Sequence, residues 1–214
     1  MAAAKKRPVP GEETAGRPAT RSGREPIDLP RLVPPGKTAF DTVAWRSHDA
    51  SIKSADGKVI FEQKGIHAPR SWSETSINIA ASKYFRVVDG RRETAIDGMI
   101  RRVCHWIAQQ AVSLGYLDSA QEGSTFEESL SYLMVQQMAA FNSPVWFNVG
   151  VRDPPQCSAC FIQSVQDDMD SILALATSEG RLFKGGSGTG TNLSALRGSH
   201  ERLAGGGKIG RAHV

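Results

Sequence analysis

The chain has 214 residues, 40% of them hydrophobic and 22% charged, with a formal net charge of +4. That is the composition of a soluble globular chain of one full domain or two small ones. No apolar run approaches the ~18–20 residues of a membrane span, which excludes an integral helical membrane protein. Met1–Pro10, charged and proline-interrupted, does not read as a signal peptide.

In chain order, residues 1–37 come first, with eight basic and four acidic side chains, which is the whole charge excess. This stretch is almost empty of large apolar residues and is expected to be a disordered basic tail. The remainder is neutral, so no specific nucleic-acid partner is expected. Thr42–Trp45 and Lys58–Phe61 flank Ser54–Ala55–Asp56–Gly57, whose Asp-Gly pair predicts a β-hairpin. Ser71–Trp72–Ser73–Glu74, after Pro69, opens a short helix through Tyr84–Phe85. Two amphipathic helices follow. Ile96, Ile100, Val103, Ile107 and Val112 set the face of one over Thr94–Leu114, stopped by Gly115. Phe126, Leu130, Leu133, Met134 and Met138 set the face of another over Phe126–Ala140, with Thr125 and Glu128 as a capping box.

After Phe141 the texture turns to short apolar pieces and glycine clusters. Val145–Trp146–Phe147 and Cys160–Phe161–Ile162 read as strands, joined by an extended connector at Asp153–Pro154–Pro155. A helix beginning near Asp168 carries Ile172, Leu173, Leu175 and Leu182, with Asp167, Asp168 and Asp170 at its positive end.

Two features here bear on chemistry. Cys157–Ser158–Ala159–Cys160 has the spacing of a zinc half-site or a redox pair. Zinc lacks further ligands: the third cysteine, Cys104, lies in an apolar helix, and His105 beside it points to another face. A thioredoxin-like pair would open a helix, whereas Cys160 leads into Phe161–Ile162. In a strand only one of two thiols three apart faces a given side, so one is read as functional and the other as packing. Three cysteines in all also argue against a secreted disulfide scaffold and for a reducing cytoplasm. The second feature, Lys184–Ser194, has the Gly, Ser and Thr content of an anion-binding loop but not the Gly-Lys-Ser/Thr ending of a Walker loop. It reads equally as a ligand contact or a tight turn. Arg197 and Arg202 just beyond are candidate phosphate contacts.

Taken together, Phe141–Gly150, Gln156–Ile162, Phe183–Arg197 and Glu201–Gly207 resemble adenosylcobalamin-dependent (class II) ribonucleotide reductases. The resemblance reaches back through Trp72 and Ala81–Phe85 and covers about residues 40–207. It implies an α/β fold: an N-terminal, mainly helical region with a small hairpin over 38–140, then, over 141–207, the first elements of a truncated ten-stranded α/β barrel. The implied activity is reduction of ribonucleoside di- or triphosphates to deoxyribonucleotides by a radical mechanism. Adenosylcobalamin would be bound mainly by parts outside this chain, and no metal ligand is assigned within it. Cys160 matches the cysteine that supplies electrons to the ribose and ends in a disulfide, its partner lying much later in the family's chain. Ser143 matches a substrate-contacting hydroxyl. The turn Gly186, Ser187, Gly188, Thr189, Gly190 lies where the family's backbone cradles substrate. Asp167 and Arg197 match contacts to a deoxynucleotide specificity effector. A thioredoxin-like reductant and a homodimer partner are also implied. Ala159 stands where many class I relatives have serine, so that hydroxyl contact is missing; Cys157 receives no role.

The resemblance stops after Gly207. Residues 208–214 are expected to be a non-native tail, because Ile209–Val214 reads back as ATC GGA AGA GCA CAC GTC, a common sequencing-adapter read. Two other readings compete: a stand-alone nucleotide-binding regulator using Asp167 and Arg197, and a zinc or redox module at Cys157 and Cys160.

Overall fold

A computed structural model describes residues 29–198, which form two compact units. The expected tail over 208–214 lies outside them, as do residues 1–28 and Arg202.

The first unit takes the described chain up to Lys83 and then Thr94–Ala140. Its opening residues correct the expected tail. Val33 is buried, and the Ser129 hydroxyl donates to the Pro30 carbonyl (2.8 Å) while accepting from the Leu32 N–H (3.4 Å). One apolar side chain and one satisfied hydroxyl are enough to seat this segment. A 3-10 turn, Ala39–Thr42, follows, with the Asp41 carboxylate accepting from the Thr38 N–H at 2.8 Å. Thr42 therefore ends a helical turn, not a strand as expected. The hairpin is β1 (Trp45–Lys53) against β2 (Val59–Pro69), antiparallel and closed at Ser54–Lys58 with Gly57 at φ 82°. That is the positive φ for which an Asp-Gly turn is suited. β2 ends buried at Ile66 and Ala68.

Helix α1 (Glu74–Ile79), capped by the Ser73 hydroxyl, runs on into a π-helical turn over Ala80–Tyr84. The Trp72 indole donates to the Val135 carbonyl at 2.8 Å, which satisfies its N–H inside the core. Helix α2 (Ile96–Ser113) buries Ile96, Ile100 and Val103 of the expected face completely, together with Cys104, while Ile107 and Val112 of that face are half-buried. Helix α3 (Ala120–Val135) begins six residues earlier than expected. Ser119 caps it by accepting from the Glu122 N–H (3.1 Å), while the Glu122 carboxylate reaches back to the Asp118 N–H (2.6 Å). The same Ser-x-x-Glu logic thus operates six residues upstream of Thr125, whose hydroxyl instead bonds back to Gln121 (3.0 Å). The helix stops before Gln137, at φ 56°, leaving Met138 exposed rather than on its packed face.

The second unit comprises Tyr84–Glu93 and the described chain from Phe141. β3 (Val87–Val88) and β4 (Arg91–Arg92) turn through Asp89–Gly90, both at positive φ. Val145–Trp146–Phe147 is not a strand: it lies in helix α4 (Ser143–Asn148). The Asn142 side chain accepts from the Val145 N–H at 3.2 Å and Pro144 sits in the first turn, so the N-terminal signals outweigh the β propensity of the aromatic trio. β5 (Cys160–Ser164), α5 (Met169–Lys184, capped by Asp168) and β6 (Gly188–Asn192) form one β-α-β unit, β5 and β6 being parallel. The fold is a mixed helix/strand α/β one; among the described residues the sheets are two-stranded and no barrel closes. No helix among them is long and apolar enough to cross a membrane.

Candidate active site around Cys160

Strand alternation sorts the site residues into two faces. In β5 the exposed positions are Cys160, Ile162 and Ser164; in β6 they are Gly188, Gly190 and Asn192. The register sets Cys160 beside Gly188 and Ile162 beside Gly190. The thiol therefore stands at the first position of β5, free and exposed, with Gly188 directly beside it on β6. The opposite face carries Phe161, Gln163, Thr189 and Thr191. There the Glu179 carboxylate of α5 accepts from the hydroxyls of Thr189 (2.9 Å) and Thr191 (3.0 Å).

The glycine segment is consequently not the single turn expected over residues 186–190. Its turn is confined to Gly185 and Gly186, the latter at φ 86°, and Gly188 onward is strand, joined to β5 by the Gly188 N–H on the Ala159 carbonyl (2.7 Å). Ser187 is buried, accepts from the Gln156 amide and donates to the Ser158 carbonyl. Its hydroxyl and that of Thr189 are thus engaged within the protein, and the thiol's face is bordered by backbone. The Ser143 hydroxyl lies 3.1 Å from the Tyr84 hydroxyl, at the start of α4.

Cys157 lies outside β5, in the connector, its thiol 3.8 Å from the Pro155 carbonyl. Burial pushes its pKa up. The motif's two cysteines thus differ in setting, one in a connector and one on a strand.

At the other end of α5 the structure brings Asp167 and Arg197 together. The Arg197 Nε donates to the Asp167 carboxylate and Nη2 to the Asp167 carbonyl (3.3 Å). Sixteen helical residues, about 24 Å at 1.5 Å each, separate this pair from the glycine turn. Sequence reasoning missed Asn148, Gln156 and Glu179, which fasten these segments together. The polar residue in the otherwise apolar Pro144–Val149 run was the available signal for Asn148.

Residues 46–90 match the model of class II vitamin B12-dependent ribonucleotide reductases, and residues 158–213 that of the ribonucleotide reductase barrel domain. The chain is similar to the vitamin B12-dependent ribonucleotide reductase of Streptomyces clavuligerus, 42% identical over 204 residues, covering 94% of this chain and 21% of that protein. It is 44% identical over 176 residues to that of Streptomyces coelicolor, covering 81% and 18%, and 40% identical over 204 residues to that of Rhodopirellula baltica, covering 80% and 20%. The chain thus spans about a fifth of the length of these curated relatives.

Proposed function

We propose that this chain, a relative of the vitamin B12-dependent ribonucleotide reductases, supplies one of the two reducing thiols and the effector contact of such an enzyme. The observation that carries the reading is Cys160: an unpaired, exposed thiol at the head of a strand whose parallel neighbour presents only glycine beside it. In the reaction, Cys160 and a second thiol from the remainder of the enzyme each give up a proton and one electron, so that a hydrogen replaces the 2′-hydroxyl on carbon. Their sulfurs join in a disulfide while the 2′-oxygen leaves as water, and thiol exchange with a thioredoxin-like dithiol restores both thiols.

Backbone groups of Gly186–Gly190 border the substrate in this reading, with Ser143 as a hydroxyl contact. Ser187 and Thr189 contribute through their main chain, since their hydroxyls are bonded elsewhere. Asp167 and Arg197 meet the deoxynucleotide effector, Arg197 turning from its ion pair to the phosphate. Homodimer formation and further barrel strands, up to ten, are part of the same reading.

Adenosylcobalamin supplies the radical in this class. No residue of this chain is assigned to it.

Steady-state reduction and effector binding in the intact enzyme carrying this sequence test the proposal. Cys160→Ser is expected to abolish multiple turnover and leave effector affinity unchanged, whereas Cys157→Ser has a much smaller effect. Normal turnover by Cys160→Ser overturns the assignment, and equal loss in both variants means that Cys160 is the wrong cysteine. Asp167→Ala is expected to weaken the effector response before basal activity; unchanged effector affinity removes Asp167 from that site.

A further inference from the structure

Asn148, the last residue of α4, is 2% exposed, and nothing in the proposed chemistry uses it. Its side-chain amide lies within hydrogen-bond distance of three carbonyl oxygens: Pro144 (2.9 Å), Gln156 (3.0 Å) and Gly185 (3.1 Å). These belong to three segments that the sequence separates: the helix that begins with Ser143, the connector that leads to Cys160, and the end of α5 where the glycine turn begins. Next to it, Gln156 donates to Ser187, Ser187 to the Ser158 carbonyl, and the Gly188 N–H to the Ala159 carbonyl. Three of the four carbonyls immediately before Cys160 are therefore held from outside the connector.

We infer that Asn148 is a positioning residue that fixes the Ser143 helix, the Cys160 strand and the glycine turn in one register. It touches no reacting atom. A buried amide with two N–H groups can bridge backbone carbonyls that no helix or sheet ladder would satisfy. Aspartate has the same shape but no donor, so it would set a carboxylate against three carbonyls. Leucine would remove the donor from the Gln156 and Gly185 oxygens, whereas the Pro144 carbonyl lies within α4 and keeps the helix's own bond. The mechanical role belongs to this chain whatever its reaction; its meaning for ribonucleotide reduction rests on the reading above.

Hydrogen exchange on the full 214-residue chain, resolved by peptide, tests it. Asn148→Asp is expected to speed exchange in peptides covering residues 157–162 and 185–190 by about tenfold or more, because the segments open locally once the bridge is lost. Exchange in mid-α5, around Leu175–Thr177, and in the β1–β2 hairpin is expected to stay within about twofold of the unsubstituted chain. Acceleration spread evenly over α5 would mean that Asn148 only contributes global stability, and unchanged exchange at residues 157–162 would mean that it holds nothing there; either overturns the inference. Should Asn148→Asp not fold, Ser187→Ala removes the adjoining half of the clamp and Ser187→Thr restores its hydroxyl. Loss of protection at 157–162 in the first and recovery in the second is the expected pair, and the absence of both results overturns the inference. Reduction of ribonucleotides by the unsubstituted sequence in its intact enzyme decides the functional reading separately, since an inactive enzyme with an intact exchange pattern would sink only that reading.

Discussion

Cys104 shows how much a residue's setting decides its chemistry. It is fully buried in α2, and burial pushes its thiol up to about 12 from an ordinary value of 9.0, the Ser131 hydrogen bond offsetting only part of the effect. The folded state therefore holds this proton more tightly than the unfolded chain does. The resulting stability is fully present below pH 9 and is lost as the pH rises from there towards 12, at about 1.4 kcal/mol per pH unit. Denaturant unfolding at pH 8, 9.5 and 10.5 is expected to fall more steeply for the unsubstituted chain than for Cys104→Ala; parallel slopes would contradict this account. At this scale the sequence singles out a thiol but not the direction of its neighbours. Thr189 belongs to the glycine run in composition, yet period-2 alternation turns its hydroxyl towards Glu179, which only the strand register reveals.

Among elements, α2 and α3 meet closely at Gly123. A Cβ there would lie 2.7 Å from Val112 Cγ2, a branched side chain with little freedom to move aside. Gly123→Ala is expected to destabilise the helix pair: overpacking costs about 1–3 kcal/mol, against about 1 kcal/mol gained in helix propensity. Adding Val112→Ala should recover part of the Gly123→Ala loss in a thermal-unfolding double-mutant cycle, and additive losses would place the strain elsewhere. The long elements were readable because their apolar spacing is long: Ile96, Ile100 and Val103 define α2 without help. Short ones were not. Six residues of α4 give too little periodicity to outvote aromatic β propensity, and the deciding group, the Asn142 side chain, acts from outside the element. In α3 two Ser/Thr-x-x-Glu signatures compete, at Ser119 and at Thr125, and the choice between them depends on where the chain leaves α2.

Over the whole molecule, the described residues form two units with different surfaces. The first buries a continuous core around Ile66, Ile77, Ile100 and Val135. In the second, α5 buries no side chain, and Ile162 (87% exposed), Met169, Leu173, Phe183 and Leu193 lie open. Apolar side chains in that density, beside a two-stranded sheet with free edges, favour association with other surfaces. The 214-residue chain by itself is expected to self-associate, with a sedimentation coefficient that rises with concentration, and a concentration-independent monomer would contradict this. Given adenosylcobalamin, a dithiol and ribonucleotide, it should form no deoxyribonucleotide. Its cysteines comprise one buried thiol, one connector thiol and one strand thiol, where the proposed chemistry calls for a radical cysteine and two reductants. Product above background would mean that the machinery has been misplaced.

The glycine opposite Cys160 has one more consequence. Gly188 is not in the left-handed region, and a methyl group there would stand 3.8 Å from the Ala159 carbonyl, an ordinary contact. Neither the backbone nor the packing asks for glycine at this position. Glycine within a strand costs up to about 0.5–1 kcal/mol against alanine, and Gly188 opens β6. β6 is thus weaker than its own geometry permits, and the deficit falls beside the thiol, where an added methyl would fill space that glycine leaves open.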